Sequence, residues 1–162
     1  MSLQSGGMPV SRSRTRSARK KGHEFEKKVA RWAKRYFDAD LVETNILMNG
    51  LRVKRPYEID VHVYWESGLL FKEEHDLWIE CKDMKSSVKR THIFKLIESA
   101  KDIEDACKEG REDFYFDHLA IATMSRFDQD ALAYATDHEI ACIVYDGKRF
   151  RMVNEDEINW LP

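Results

Sequence analysis

The chain has 162 residues, 43% of them hydrophobic, with four Trp, eight Phe and six Tyr, enough to bury the core of one domain. Its net charge is −2, and no apolar run approaches the roughly 20 residues of a bilayer span, which argues against a membrane protein. Cys81, Cys107 and Cys142 lie far apart, without zinc-ligand spacing, and no apolar leader precedes the domain, so a reducing compartment, the cytoplasm, is expected.

Charge is unevenly spread. No acid precedes Glu24, while Arg12, Arg14, Arg16, Arg19, Lys20 and Lys21 supply six positive charges; without them the chain holds 21 basic and 29 acidic residues. Residues 1–21 read as a flexible basic arm for a polyanion such as DNA, joined to a single domain over 22–162.

In chain order, Phe25, Val29, Trp32, Ala33, Tyr36 and Phe37 form one helical stripe, which predicts a helix from Gly22 to Phe37. Leu41 to Met48 reads as a strand, and Asn49-Gly50 as a hairpin turn. Tyr57 to Trp65 alternates apolar and polar residues, with Glu58, Asp60, His62 and Tyr64 on the polar face. Glu66-Ser67-Gly68 breaks that strand, Lys72 to Asp76 reads as a charged loop, and Leu77 to Met84 as the next strand. A helix is predicted over 90–108, with Ile93, Leu96, Ile97, Ala100, Ile103, Ala106 and Cys107 inward and Gly110 as its stop. His118 to Met124, a helix over 128–138, Ile140 to Tyr145 and a short strand over 149–153 complete the chain. The mixed order predicts an α/β sandwich with a mixed sheet.

Three residues carry the chemistry. Alternation puts Glu80 and Lys82 on one strand face, and Asp60 lies on the preceding strand, so both carboxylates can stand side by side with an amine beside them. Taken singly, each is as readily an exposed strand acid, or an ion pair contributing well under about 1 kcal/mol. Together they fit a divalent cation, because two close carboxylates repel unless a cation neutralises them. After the motif, Lys85, Lys89, Arg90, His92 and Lys95 open the next helix, where positive charge opposes the helix dipole unless an anion approaches.

Asp60 followed by Glu80-Cys81-Lys82 resembles the D…(D/E)xK signature of the PD-(D/E)xK nuclease superfamily. Gly22-His23-Glu24-Phe25-Glu26 is similar to the G-x-x-F-E helix opening of its Mrr-like restriction endonuclease and Holliday-junction resolvase branches. Ala122 to Phe127, with Ala131 and Ala135, is similar to the strand and helix that end Mrr-like domains. The resemblance spans about Gly22 to Phe150. Ile59 stands where the signature's name has proline, and the 90–108 helix carries no motif that fixes a subfamily.

The resemblance implies a restriction-endonuclease-like three-layer sandwich and a Mg²⁺-dependent endodeoxyribonuclease (Mn²⁺ substituting) of restriction, repair or recombination. It implies Asp60, Glu80 and the Cys81 carbonyl as metal ligands, Lys82 as the residue that orients water, and Glu26 as a helix-borne catalytic acid. Lys85, Lys89, Arg90 and Lys95, with the basic arm, would contact DNA, and Arg126 is a weaker candidate. His62, on the same strand face as Asp60, reads more as a bystander than as a phosphate ligand. One active site cuts one strand, so a homodimer is expected for double-strand cleavage. The competing expectation is a DNA-binding module that keeps the fold without efficient catalysis.

Overall fold

The structure, a computed structural model, describes the backbone of residues 11–162 and the side chains from residue 22 onward. Helix α1 (Ser11–Tyr36) precedes three strands, β1 (Leu41–Met48), β2 (Tyr57–Ser67) and β3 (Glu73–Lys82). Helix α2 (Arg90–Lys108) leads to β4 (His118–Thr123), and α3 (Gln129–Asp137) to β5 (Ile140–Tyr145) and β6 (Phe150–Met152).

The strands form one six-stranded sheet in sequence order. β1–β2, β2–β3 and β5–β6 pair antiparallel, whereas β3–β4 and β4–β5 pair parallel, each parallel step bridged by a helix as its geometry requires. On one face, Phe25, Val29, Ala33 and Phe37 bury against Val61, Val63, Leu77, Ile79, Ala122 and Ile143. On the other, Ile93, Leu96 and Ile103 of α2 and Ala131 and Ala135 of α3 bury against Trp78, Ile121 and Cys142. The molecule is therefore a three-layer α/β sandwich around a mixed sheet, built by the helical stripes and strand alternation of the sequence.

Four local expectations change. Helix α1 begins at Ser11 rather than Gly22; Ser, Arg, Thr, Ala and Lys fill 11–21 with no proline or glycine to stop it. β3 starts at Glu73, so the expected charged loop over 72–76 is mostly strand. Backbone pairing from Glu73↔Ser67 to Val63↔Leu77 carries this end, and the exposed Glu73 and Glu74 need no core. Gly68, at φ +95, begins the turn that makes this hairpin.

Asn49-Gly50 does not close a two-residue hairpin, because the β1–β2 connection runs from Asn49 to Pro56. Asp102 of α2, only 5% exposed, holds that loop by accepting from the backbone N–H of Arg52 (2.9 Å) and Val53 (3.3 Å) and from the Tyr57 hydroxyl (2.9 Å). A Cβ at position 50 would collide with the Asp102 carboxylate, which accounts for Gly50. Cys107 and Ile97, expected inward on α2, are only half-buried.

Candidate metal and catalytic site

The site is a fork between β2 and β3. Their ladder ends at Val61↔Ile79; two further steps in the same register would set Ile59 opposite Cys81. Instead β2 keeps its pairing to β1, with Ile46↔Ile59, and leaves β3. Ile59 packs into the α2–α3 core although Val61, two residues on, packs under α1. A strand that kept one twist would send both to the same face. Between the pairs Thr44↔Val61 and Ile46↔Ile59, Asn45 of β1 adopts φ +55, a left-handed conformation that Asn tolerates and β-branched residues do not.

Asp60 sits at the fork. Its Oδ2 accepts the Cys81 backbone N–H at 2.8 Å, a bond that the departed strand would otherwise have made. In a strand, the N–H and C=O of one residue point to the same side. The Cys81 carbonyl therefore faces the same gap as the Asp60 carboxylate.

The other members arrive from two elements, β3 and α1. Glu80 projects from β3 beside Lys82, whose Nζ lies 3.3 Å from Glu80 Oε1; the two side chains are 21% and 30% exposed. Glu26, on α1 and 9% exposed, lies within electrostatic reach of Asp60, Glu80 and Cys81, and His23 Nδ1 stands 3.0 Å from Glu26 Oε2. The strand end is tied to β4 by the Thr123 hydroxyl, which donates to the Lys82 carbonyl at 3.0 Å. Glu26, Asp60, Glu80 and Lys82 thus converge, although they come from three separate elements.

Burial and crowding set the electrostatics. Burial, then the neighbouring Glu80, raises the Asp60 pKa to about 8, with Glu26 adding to the rise and the Cys81 N–H and Lys82 opposing it. Burial likewise raises Glu80, against the opposing Lys82 ammonium. The Cys81 thiol is pushed far up by burial and the surrounding acids, which disfavours its thiolate. Burial and crowding disfavour the ionised forms of both carboxylates, and a cation between them would offset that. Asp60, Glu80 and the Cys81 carbonyl offer only oxygen donors, the set that Mg²⁺ and Mn²⁺ take.

Lys85, Lys89, Arg90 and Lys95 are all exposed around the start of α2, which has no acid in its first turn. His92 accepts the Lys89 backbone N–H on Nδ1 at 2.9 Å, and burial together with Lys82 and Lys95 lowers its pKa, which locates the helix entry beside the site. Arg90 is partly committed, its guanidinium lying 4.5 Å from the Tyr134 ring. Arg126 is exposed after β4. The side chains of Arg12, Arg14, Arg16, Arg19, Lys20 and Lys21 lie outside the described residues.

His62 does not join the site. It is 4% exposed, bonded to Glu43 (3.1 Å) and Asp76 (2.7 Å), and stacked on Phe114 with ring centroids 4.8 Å apart. Strand alternation carries no hint of His23 or of the Asn45 kink. A histidine three residues before a helix Glu, on one face of the helix, is the signal that was available for His23.

No protein-family model matches the chain, and no curated protein matches it. Among solved structures, it is similar to a crystal structure described as a protein of unknown function, AF1548, with a TM-score of 0.55 and 21% identity. The match covers 80% of this chain and 59% of that one, so the chain spans less than two thirds of that protein's length. The likeness bears on the fold. Among the described residues, no helix is long and apolar enough to cross a membrane.

Proposed function

We propose that the protein is a metal-dependent endodeoxyribonuclease that hydrolyses DNA phosphodiester bonds at the fork between β2 and β3. The observation that carries this reading is the replacement of a ladder bond by the Asp60 side chain at Cys81, which aims an acid and a backbone carbonyl into one gap beside Glu80 and Lys82. A purely structural acid would have no need of a broken ladder, a second crowded carboxylate and an adjacent amine. The D…ExK resemblance and the sandwich architecture support the same reading.

Asp60, Glu80 and the Cys81 carbonyl would hold Mg²⁺ or Mn²⁺. When bound, that ion supplies charge for a scissile phosphate and lowers the pKa of water. Lys82 orients the attacking water and offsets the negative charge that grows on the phosphate, while its salt bridge to Glu80 keeps the ammonium in place. Glu26 acts from α1 on water at the same gap, and His23 steadies its carboxylate. Lys85, Lys89 and Lys95 at the entry of α2 bind the DNA backbone, which relieves positive charge at a helix start that has no acid.

Incubating plasmid and branched DNA with Mg²⁺ and wild-type, Asp60→Ala or Lys82→Ala protein tests this. Cleavage by wild type and loss in both variants supports it. DNA retention without cleavage under any divalent cation would instead select the binding-module reading. Sedimentation on DNA decides whether a homodimer is the working form.

A further inference from the structure

The opposite end of the parallel β3–β4 pair carries a second cluster. His75 lies near the start of β3 and His118 opens β4, next to Asp117. His75 Nδ1 and His118 Nε2 are 3.0 Å apart, His118 Nε2 and Asp117 Oδ2 are 3.7 Å apart, and the three ligand atoms lie within 4.8 Å of one another. His75 and Glu80 stand five positions apart on β3, about 17 Å along the strand. The cluster is therefore independent of the candidate nuclease site.

We propose that His75, His118 and Asp117 bind one divalent transition metal of the zinc class, clipping β3 to β4. Donors about 2.0–2.1 Å from a shared ion stand about 2.9–3.7 Å apart at the angles of a distorted tetrahedron, and both separations given above fall in that range. Two imidazoles and one carboxylate make a borderline donor set, suited to Zn²⁺, Ni²⁺ or Cu²⁺ rather than to Mg²⁺.

The surroundings hold each ligand in a binding orientation. His75 Nε2 lies 2.7 Å from the Ser67 hydroxyl, leaving Nδ1 for the ion. Asp117 Oδ1 accepts the Asp76 backbone N–H at 2.8 Å, leaving Oδ2 for the ion. Trp65 stacks on His75 with centroids 4.9 Å apart and planes 12° apart, and Trp160 stacks on His118 at 4.4 Å and 13°. The bound ion would thus join the β2–β3 hairpin, β4 and the C-terminal segment.

The test is a titration of chelator-treated full-length protein with Zn²⁺ by calorimetry. Co²⁺ absorption in the visible and Cu²⁺ quenching of tryptophan fluorescence, through Trp65 and Trp160, serve as independent readouts. One equivalent of Zn²⁺ should bind wild type and the double variant D60N/E80Q alike. His75→Gln and His118→Gln should each weaken binding at least about tenfold, and Ser67→Ala about tenfold through removal of the His75 partner. Asp117→Asn, at an exposed position, tests the site even where a histidine variant does not fold. The proposal is overturned by failure of wild type to bind one equivalent, which would leave the 3.0 Å approach as an N–H···N bond between imidazoles. Binding that survives in all three ligand variants, or that disappears in D60N/E80Q, overturns it equally.

Discussion

The Asp60 carboxylate accepts the backbone N–H of Cys81 at 2.8 Å, at the point where β2 has left β3. One side chain thereby both ends a sheet ladder and enters the site. Asp60→Ala should leave the Cys81 N–H without its partner and cost about 1–3 kcal/mol, whereas Asp60→Asn retains an oxygen acceptor and removes a buried charge. In chelator near pH 4, where Asp60 keeps its proton in the fold, urea unfolding should rank Asn close to wild type and both above Ala. An Ala variant as stable as the Asn variant would separate the hydrogen bond from the fold.

The pH dependence has a definite sign. The folded-state pKa of Asp60, raised to about 8, lies above the roughly 3.9 of an unfolded Asp, so the folded chain binds the proton more tightly. Without a divalent cation, Asp60 therefore destabilises the fold progressively as pH rises from about 4 to about 8. Melting temperatures of wild type and Asp60→Asn, measured in chelator across that range, should diverge in favour of the variant. Millimolar Mg²⁺ or Mn²⁺ should close the gap by stabilising wild type alone.

Asn45 supplies the kink opposite Asp60 at φ +55. Asn45→Gly should be nearly neutral. Asn45→Val forces a β-branched residue into the left-handed region and should cost about 1–2 kcal/mol. The same substitution should lower cleavage by more than its effect on folding predicts, because Asp60 would turn away from Cys81. Retained kcat in a well-folded Val variant would show that the kink does not aim the acid.

The basic entry of α2 should act through phosphate. Lys89→Ala with Lys95→Ala should weaken DNA binding uniformly across sequences. The slope of log K against log salt should fall by about 0.9 for each phosphate that is no longer neutralised on duplex DNA. Binding by fluorescence anisotropy at several salt concentrations measures it, and an unchanged slope would remove these lysines from the interface.

Much of this architecture was legible in the sequence, because strong periodicity and turn residues bracket most elements. The stripe Phe25–Val29–Ala33–Phe37 reports the face that α1 buries, and Ile93–Leu96–Ile103 does the same for α2. Alternation sets Glu80 and Lys82 on one face of β3, where they pair, but it says nothing of Glu26 on its helix. The fork was not legible. Residues 57–65 alternate without a break, so nothing local reveals that Ile59 and Val61 pack on opposite sides of the sheet. The role of Asp102 was not legible either, because its partners are backbone N–H groups about fifty positions earlier. His75 and His118 meet only through parallel pairing, which no sequence spacing reports.

Cleavage at the β2–β3 fork is tested most directly by the rate of DNA hydrolysis under single-turnover conditions with Mg²⁺, for wild type and for Lys82→Ala. Lys82 is only partly buried and its ion pair among the described residues is with Glu80, so its truncation should leave the fold intact. A nuclease site here predicts Mg²⁺-dependent cleavage by wild type and a rate lower by about 10²–10³-fold in the variant, with DNA affinity little changed. Equal rates for the two proteins, or cleavage that persists in chelator, would contradict it.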